Sequence, residues 1–337
     1  MEENKIISYK GFDKNMQCRG FQYEVGKEYK MDGNIKCCER GFHACESPME
    51  IWDHYDMLTS RFAKVEQSGK IDKEENSTKV CSSKIKIAAE LELGDIIKLG
   101  IEWIKDVTSP SKVKATGELN DNGGDYAKIG SSGDYAKIGS SGDSAQIGSS
   151  GDYAKIGSSG NSAQIGSSGD SAKIGSSGDS AQIGSSGDSA QIGSSGYSAK
   201  IGSSGNSAKI GSSGYSAQIG SSGNSAQIGS SGYSAQIGSS GDSAKIGSSG
   251  DYAQIGSSGD SAKIDSTGDD SVIMCAGKNS KAKAKVGSWI TLAEWIWSDD
   301  KSRYVPKCVK TEYVDGERIK PDTWYQLKDG EFVEVNE

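Results

Sequence analysis

The feature that most constrains this chain is an isoleucine that returns every nine residues from Ile129 to Ile264. That interval holds 16 units of the pattern G-S-S-G-(D/N/Y)-(S/Y)-A-(K/Q)-I. Two further units continue in altered form through Ile273 and Ala282, after which the pattern ends. A fixed period of this kind predicts a repeat architecture, in which each unit packs only against its neighbours.

Within each unit, Ala and Ile stand two residues apart and therefore share one face of an extended strand. The glycine- and serine-rich remainder supplies turn residues, because glycine adopts positive φ without steric cost. Proline is absent from the repeats, as a hydrogen-bonded ladder requires. The pattern predicts one short strand and one tight turn per unit, stacked into a β-solenoid.

The fifth position of the unit indicates how many units make one turn of the coil. It reads Tyr197, Asn206, Tyr215, Asn224, Tyr233, so each residue type returns at every second unit. With two nonapeptides per turn, residues two units apart stack directly, and the three tyrosines form a ladder with rungs about 4.8 Å apart. We therefore expect a two-sided β-solenoid of about eight regular turns. Tandem duplication of a two-unit block would produce the same alternation.

Other interpretations of the repeat fit less well. The 46 glycines and 34% hydrophobic residues are also typical of a flexible Gly/Ser linker, but a linker has no reason to hold isoleucine at fixed spacing. A calcium-binding β-roll uses G-G-x-G-x-D-x-U-x, and aligning Ile138 with its apolar position places Ala136 where the aspartate belongs. Ice binding requires uniform polar ladders, whereas the outward positions mix Ser, Tyr, Lys and Gln.

The flanking segments have an ordinary composition. Residues 1–116 predict an α+β N-terminal cap domain, with strands in KIISYKGF, FQYEV and KIKIAAELEL and a short helix in PMEIWDHYDML. Residues 117–285 hold the solenoid. Residues 286–337 predict a small C-terminal β cap, in which Asp315-Gly316 and Asp329-Gly330 each favour a hairpin.

Four short motifs outside the repeats are distinctive: YKGF from Tyr9, CRGF from Cys18, CERGFHAC from Cys38 and DGERIKPD from Asp315. Through these motifs and the repeats, the chain resembles a group of phage and prophage proteins that join an N-terminal domain of unknown function to A-x-I-G nonapeptide repeats. The resemblance covers most of the chain and implies a viral or prophage origin, with no established activity.

Two candidate sites lie in the N-terminal segment. Cys37, Cys38, His43 and Cys45 include metal-ligand residue types, but no second pair of ligands at zinc spacing follows, so buried thiols are the favoured interpretation. The chain has seven cysteines at irregular spacing, which is typical of reduced thiols in a cytosolic protein. We expect neither a metal nor another cofactor.

The second candidate is ADP-ribosyl transfer. Enzymes of that class hold NAD with an early basic strand, a middle strand before a helix and a late glutamate. Tyr9-Lys10-Gly11, Gly41-Phe42-His43 and Glu90-Leu91-Glu92 follow that order. Lys10 cannot form the bidentate fork that arginine gives, and the Ser-Thr-Ser motif of the middle strand is missing. This activity stands as the alternative to a non-catalytic role, for which we expect no catalytic residues.

The favoured function is that of a binding scaffold, with Tyr197, Tyr215 and Tyr233 as the candidate binding surface. We expect a protein or another macromolecule as partner, in the host cytoplasm or in the virion, and a homo-oligomer is compatible with the sequence. The net charge of −8 is spread along the chain, so nucleic acid is not expected, and no apolar run is long enough for a membrane span.

Eight lysines in outward strand positions predict a solvated face balanced by nearby aspartates. They are Lys128, Lys137, Lys155, Lys173, Lys200, Lys209, Lys245 and Lys263.

Overall fold

The computed structural model describes residues 5–74, 78–107, 119–121 and 124–336. The chain divides into two compact units, Met1–Trp103 and Ile104–Glu337. The predicted boundary between residues 116 and 117 lies outside the described residues.

The first unit is built on a small antiparallel β-barrel. Its strands are β1 Ile6–Phe12, β2 Gln17–Cys18, β3 Phe21–Gln22, β4 Glu28–Lys30, β5 Phe42–Cys45, β6 Arg61–Lys73 and β7 Lys79–Leu91. Strand β1 pairs with β5 and β6, and β7 also pairs with both β5 and β6, so that the four strands close a ring. Strand β4 pairs with the part of β7 beyond β5.

Helical structure in this part of the chain differs from the prediction. The segment from Pro48 forms only a 3₁₀-helix, Met49–Asp53, whose Met49, Ile51 and Trp52 are buried. A longer helix, α1, spans Leu93–Val107 and was not predicted. Its sequence carried the signal, because four buried isoleucines follow one another at intervals of one, four and three residues, which places them on one side of a helix. They are Ile96, Ile97, Ile101 and Ile104.

The repeats form a two-sided parallel β-solenoid, as predicted from the two-unit alternation. It has about nine turns, one more than the eight regular turns expected, because the ladder continues past the last regular unit. Each strand pairs in register with the strand two units later; Ile183, for example, lies beside Ile165 and Ile201. Sheet I contains β9 Lys128–Ser131, β11 Gln146–Ser149, β13 Gln164–Ser167, β15 Gln182–Ser185, β17 Lys200–Ser203, β19 Gln218–Ser221, β21 Gln236–Ser239, β23 Gln254–Ser257, β25 Val272–Cys275, β27 Trp289–Ser298 and β28 Arg303–Tyr313. Sheet II contains β8 Leu119–Asp121, β10 Lys137–Ser140, β12 Lys155–Ser158, β14 Lys173–Ser176, β16 Gln191–Ser194, β18 Lys209–Ser212, β20 Gln227–Ser230, β22 Lys245–Ser248, β24 Lys263–Ser266, β26 Lys281–Lys283, β29 Tyr325–Lys328 and β30 Glu331–Glu334.

The solenoid interior is thin and continuous. Each unit turns its Ala, its Ile and the first Ser of G-S-S-G inward, and all three types are buried along the regular rungs. Several interior serine hydroxyls have no hydrogen-bond partner; Ser167, Ser185, Ser203 and Ser221 are examples. The apolar part of each rung is therefore one small and one large side chain per sheet, as the sequence indicated.

The turns use glycine for close approach rather than for positive φ. The residue in the left-handed region is the sixth of the unit, such as Ser207 or Ser225, with φ near +56°. The glycine before the fifth position stacks on its counterpart one turn below. A Cβ built on Gly205 would lie 2.0 Å from the carbonyl oxygen of Gly187. Only glycine therefore allows the corners to stack at the spacing of the strands.

The C-terminal strands extend both sheets past the last repeat. In sheet I, β27 continues the parallel ladder beside β25 and then pairs antiparallel with β28. In sheet II, β29 and β30 form the hairpin predicted at Asp329-Gly330. The hairpin predicted at Asp315-Gly316 was wrong. The Asp315 carboxylate instead accepts the backbone N–H groups of residues 317, 318 and 319, which folds the segment into a compact loop.

Candidate binding surface

Two corners join the sheets, and their fifth-position residues differ. Corner I is the turn that leads into each strand of sheet I, and corner II is the turn that leads into each strand of sheet II. At corner II the fifth residue is Asp or Asn in every regular rung, from Asp134 to Asp260. Its side-chain oxygen accepts the backbone N–H of the matching residue two units later, as in Asn224 N–H to Asn206 Oδ1 at 3.1 Å. These bonds run without a break from Asp134 to Lys278.

Corner I has the same side-chain hydrogen bonds in its first rungs, but the rungs that follow lack them. Bonds of this type link Asp125, Asp143, Asn161 and Asp179. The next three rungs carry Tyr197, Tyr215 and Tyr233, whose side chains offer no acceptor at that place. A carboxylate ladder bond returns only between Asp251 and Asp269.

The tyrosines stack on one another as predicted. The ring centroids of Tyr197 and Tyr215 are 5.1 Å apart with planes 3° apart, and those of Tyr215 and Tyr233 are 5.0 Å apart at 20°. Tyr252 adds a fourth ring, 5.0 Å from Tyr233 and tilted by 57°. We call these four residues the tyrosine ladder. Each ring is between 40% and 56% exposed, so the ladder is an open aromatic strip.

The fifth-position pattern did not predict Tyr252 as a member of the ladder, because Tyr252 occupies the sixth position of its unit and the other three tyrosines occupy the fifth. Its spacing from Tyr233, two units and one further position, nevertheless indicated that the two side chains lie close together. Tyr135 and Tyr153, also at the sixth position, form a separate stacked pair at corner II, with centroids 5.0 Å apart.

The backbone also changes at the tyrosine rungs. In most aspartate and asparagine rungs, the N–H of the sixth residue donates to the turn above, as in Ser225 N–H to Asp242 O at 2.8 Å. In the tyrosine rungs the direction reverses, and Ser216 N–H donates to Tyr197 O in the turn below at 2.9 Å. Ser216 has also left the left-handed region that Ser225 occupies. The peptide between the fifth and sixth residues is therefore turned over before Ser216 and before Ser234, in two of the three tyrosine rungs.

The outward lysines are not distributed evenly between the sheets. In sheet I, six of the eight residues that precede the isoleucines are glutamine, with Lys128 and Lys200 as the exceptions. In sheet II, six of the eight are lysine, with Gln191 and Gln227 as the exceptions. The predicted lysine face is therefore mainly a property of sheet II, and sheet I presents a neutral amide column.

The candidate residues for ADP-ribosyl transfer hold structural partners in the first unit. Lys10 is buried, and its ammonium donates to the carbonyl of His43 at 3.0 Å and to Cys18 Sγ at 3.5 Å. Burial lowers the pKa of Lys10. Glu90 instead lies at the surface, where both of its oxygens accept hydrogen bonds from Arg61 at 2.6 and 2.7 Å.

Around Lys10 the sulfur of Cys18 lies 3.0 Å from the Tyr55 hydroxyl. Burial raises the pKa of Tyr55 and lowers the pKa of His43. The Tyr55 ring also explains Gly11, because a Cβ at that position would lie 2.4 Å from the ring. Lys10, Cys18 and Tyr55 thus form a polar cluster in which Lys10 is buried and the other two side chains are half-buried.

The candidate cysteine and histidine side chains bond to separate backbone groups and do not converge on one point. The His43 ring accepts the backbone N–H of Cys38 at 2.9 Å, and Cys37 Sγ donates to the carbonyl of Asp72 at 3.3 Å. Cys45 and Cys81 are buried, and burial raises the pKa of Cys81 to about 12. Within the described ranges, no three His, Cys, Asp or Glu side chains are grouped to hold a metal ion. In the same ranges, no helix has the length and apolar character needed to cross a bilayer.

Comparison with known proteins gives a match in the N-terminal part of the chain. A family model described as a domain of unknown function (DUF7666) matches residues 6–99. The match falls on the barrel and the start of α1 and includes none of the repeats. No match to a curated protein or to a solved structure was found.

Proposed function

We propose that this chain is a non-catalytic β-solenoid scaffold that binds a protein partner through the tyrosine ladder at corner I. The observation that carries the proposal is the contrast between the two corners. Corner II keeps its Asp/Asn ladder in every regular rung, whereas corner I gives it up over three rungs for exposed, stacked tyrosines. Folding alone gives no reason for that exchange, because Asp and Asn satisfy the same turn elsewhere.

The ladder has the properties of a protein-binding surface. Tyrosine offers a large, rigid contact area with a hydroxyl at its tip, and it loses little side-chain entropy on binding. Stacking further restricts the rings before a partner arrives. A solenoid also holds successive side chains at fixed spacing, which suits an extended partner surface.

The resemblance to phage and prophage proteins supports a partner from the host or from the virus. In the host cytoplasm the scaffold would engage a host factor, including a component of host defence. In the virion it would act as a spacer that binds a neighbouring structural protein. Both versions require the same surface on corner I, so they share one test.

That test uses the full chain carrying Tyr197→Asn, Tyr215→Asn and Tyr233→Asn, which copies the residues found at corner II. The matched control carries Tyr135→Ser and Tyr153→Ser, which removes the stacked pair at corner II. Partners are captured from lysate of infected host cells, and the affinity of the captured protein is then measured with purified components. We expect the ladder variant to bind at least about 30-fold more weakly, the effect of losing one strong tyrosine contact. The control should bind like the unmodified chain.

Equal affinity of the unmodified chain and the ladder variant would contradict the proposal, provided that both have the same circular dichroism spectrum and unfolding midpoint. Loss of binding in the control alone would also contradict it and would place the surface on corner II.

A further inference from the structure

The outward face of sheet I is a long groove with a glycine floor. Three exposed columns run along the solenoid axis: the Lys/Gln residues before the isoleucines, the glycines after them, and the second serine of each G-S-S-G. A Cβ built on any floor glycine meets nothing within 4 Å, so the space above the floor is open. The floor consists of Gly130, Gly148, Gly166, Gly184, Gly202, Gly220, Gly238 and Gly256. The groove is shallow and open to solvent, and the space above its floor measures about 1470 Å³.

The dimensions of the groove follow from sheet geometry. Eight rungs about 4.8 Å apart give a length of about 34 Å, and the four residue steps from the glutamine to the second serine give a width of about 13 Å. Sites for small molecules rarely exceed about 1,000 Å³, so this groove fits an elongated ligand better than a compact one.

The walls are polar and nearly uncharged. Six of the eight wall residues on one side are glutamines, whose amides both donate and accept hydrogen bonds. Beyond the glycine floor, the second serines of the units are exposed on the same face of the sheet. The same column on sheet II is mainly lysine. The chain thus concentrates its positive charge on one sheet and keeps the groove of the other sheet neutral.

At its C-terminal end the groove leads onto exposed apolar and aromatic side chains. Val272 and Met274 replace the glutamine and glycine of the next rung and are about half exposed. Trp289 lies beside Val272 in the ladder, and its ring centroid is 5.0 Å from that of Tyr313. A ligand that leaves the neutral groove therefore meets an aromatic surface.

We infer that this groove is a binding site for a neutral, linear polysaccharide. The hydroxyls of such a chain match the amide and hydroxyl walls, its rings match Trp289 and Tyr313, and one sugar advances by roughly one rung. The inference goes beyond the proposed function, because it uses the face of sheet I rather than the tyrosine ladder. Either binding assignment can therefore be wrong while the other is right.

Other occupants fit the groove less well. Nucleic acid needs a row of cations, and only Lys128 and Lys200 are charged here. An extended polypeptide repeats every two residues, about 6.7 Å, which does not match rungs about 4.8 Å apart. A second copy of the chain would bury about 440 Å² on each side, from the length and width above, or roughly 900 Å² in total. That area is below the roughly 1,200 Å² of a stable interface.

The test is affinity electrophoresis of the full chain in native gels containing dextran, hydroxyethyl cellulose, galactomannan or mixed-linkage β-glucan, with alginate as the anionic comparison. The groove-filled variant carries Gly166→Val, Gly184→Val, Gly202→Val and Gly220→Val. Valine suits strands, and its Cβ has open space at each site. The triple Tyr→Asn ladder variant is the matched control, because it leaves the groove intact. Unfolding midpoints confirm that all three chains are folded.

We expect at least one neutral polymer to retard the unmodified chain and the ladder variant equally, and to bind the groove-filled variant at least about tenfold more weakly, a difference of about 1.4 kcal/mol. Retardation by none of the neutral polymers would overturn the inference. So would equal retardation of the groove-filled variant, or retardation by alginate alone. If sedimentation shows that the unmodified chain is a dimer and the groove-filled variant a monomer, with no polymer bound, the occupant is a second copy and the inference is wrong.

Discussion

Two glycines three residues apart, Gly202 and Gly205, predict opposite outcomes for the same substitution. Gly202 lies on the open floor of sheet I, where an added Cβ meets nothing within 4 Å. Gly205 lies at corner II, where the Cβ would be 2.0 Å from the carbonyl oxygen of Gly187. Ordinary contact begins at 3.4 Å, so the corner would have to open by about 1.4 Å.

That opening exceeds what the neighbouring hydrogen bonds tolerate. Asn206 N–H donates to Asp188 Oδ1 at 2.7 Å, and Ser204 N–H donates to Ser185 O at 3.0 Å. Lengthening both by more than about 1 Å breaks them, at about 1 kcal/mol each. Overpacking adds about 1–3 kcal/mol. We therefore expect Gly205→Ala to lower the free energy of unfolding by about 3–5 kcal/mol.

Gly202→Ala should instead be neutral or stabilising by about 0.5–1 kcal/mol, because alanine loses less backbone entropy on folding. Urea unfolding of both variants, followed by circular dichroism, measures the difference. Because a solenoid can unfold in parts, the midpoint and the slope are compared together. Equal destabilisation by the two substitutions would refute the assignment of Gly202 to the open floor and Gly205 to the stacked corner.

Three further predictions concern the C-terminal strands, the interior and the period of the coil. The Lys307 ammonium, and then the backbone N–H of Gly330, hold the pKa of Glu294 at about 2, below its unfolded value of about 4.3. Its stabilisation is therefore present above about pH 4.3 and lost as the pH falls through about 2, so the lower unfolding midpoint of Glu294→Gln should converge with that of the unmodified chain near pH 2. A difference that does not change with pH would refute this. Ser185→Ala and Ser203→Ala remove buried hydroxyls without partners and should raise the free energy of unfolding by about 1 kcal/mol each; a loss of similar size would show that those hydroxyls are satisfied. Deleting one two-unit block should preserve the strand signal, whereas deleting a single unit should reduce it, and equal tolerance would contradict two units per turn.

The solenoid could be predicted because its constraints are local and repeated. Ala and Ile at fixed positions define the inward face, and the return of tyrosine two units apart, at Tyr197 and Tyr215, defines the turn of the coil. The segregation of glutamine and lysine was also readable, since the same two-unit grouping separates Gln164, Gln182 and Gln218 from Lys155 and its neighbours. The sequence pattern therefore determines this part of the fold almost residue by residue.

The remaining features depend on contacts that no local pattern displays. The closed barrel requires β1 to find both β5 and β6, and β7 to pair across 13 residues. The Asp315 loop resembled a hairpin because Asp-Gly suits both, and only its three backbone hydrogen bonds distinguish them. The reversed peptide before Ser216 bonds to the carbonyl of Tyr197 in the turn below, a contact that becomes visible only once the rungs are stacked.

The distance between Ser150 and Ser258 tests the two-unit turn most directly. Both are exposed on sheet I, and the register places them six turns apart. Spin labels attached through non-natural residues leave the native cysteines in place, and pulsed electron resonance then measures the separation. Two units per turn predict a narrow distribution centred at about 29 Å, six rungs of sheet spacing. A narrow distribution at about 58 Å would mean one unit per turn. A broad distribution centred at about 57 Å would mean a flexible linker, and either result would contradict the solenoid described above.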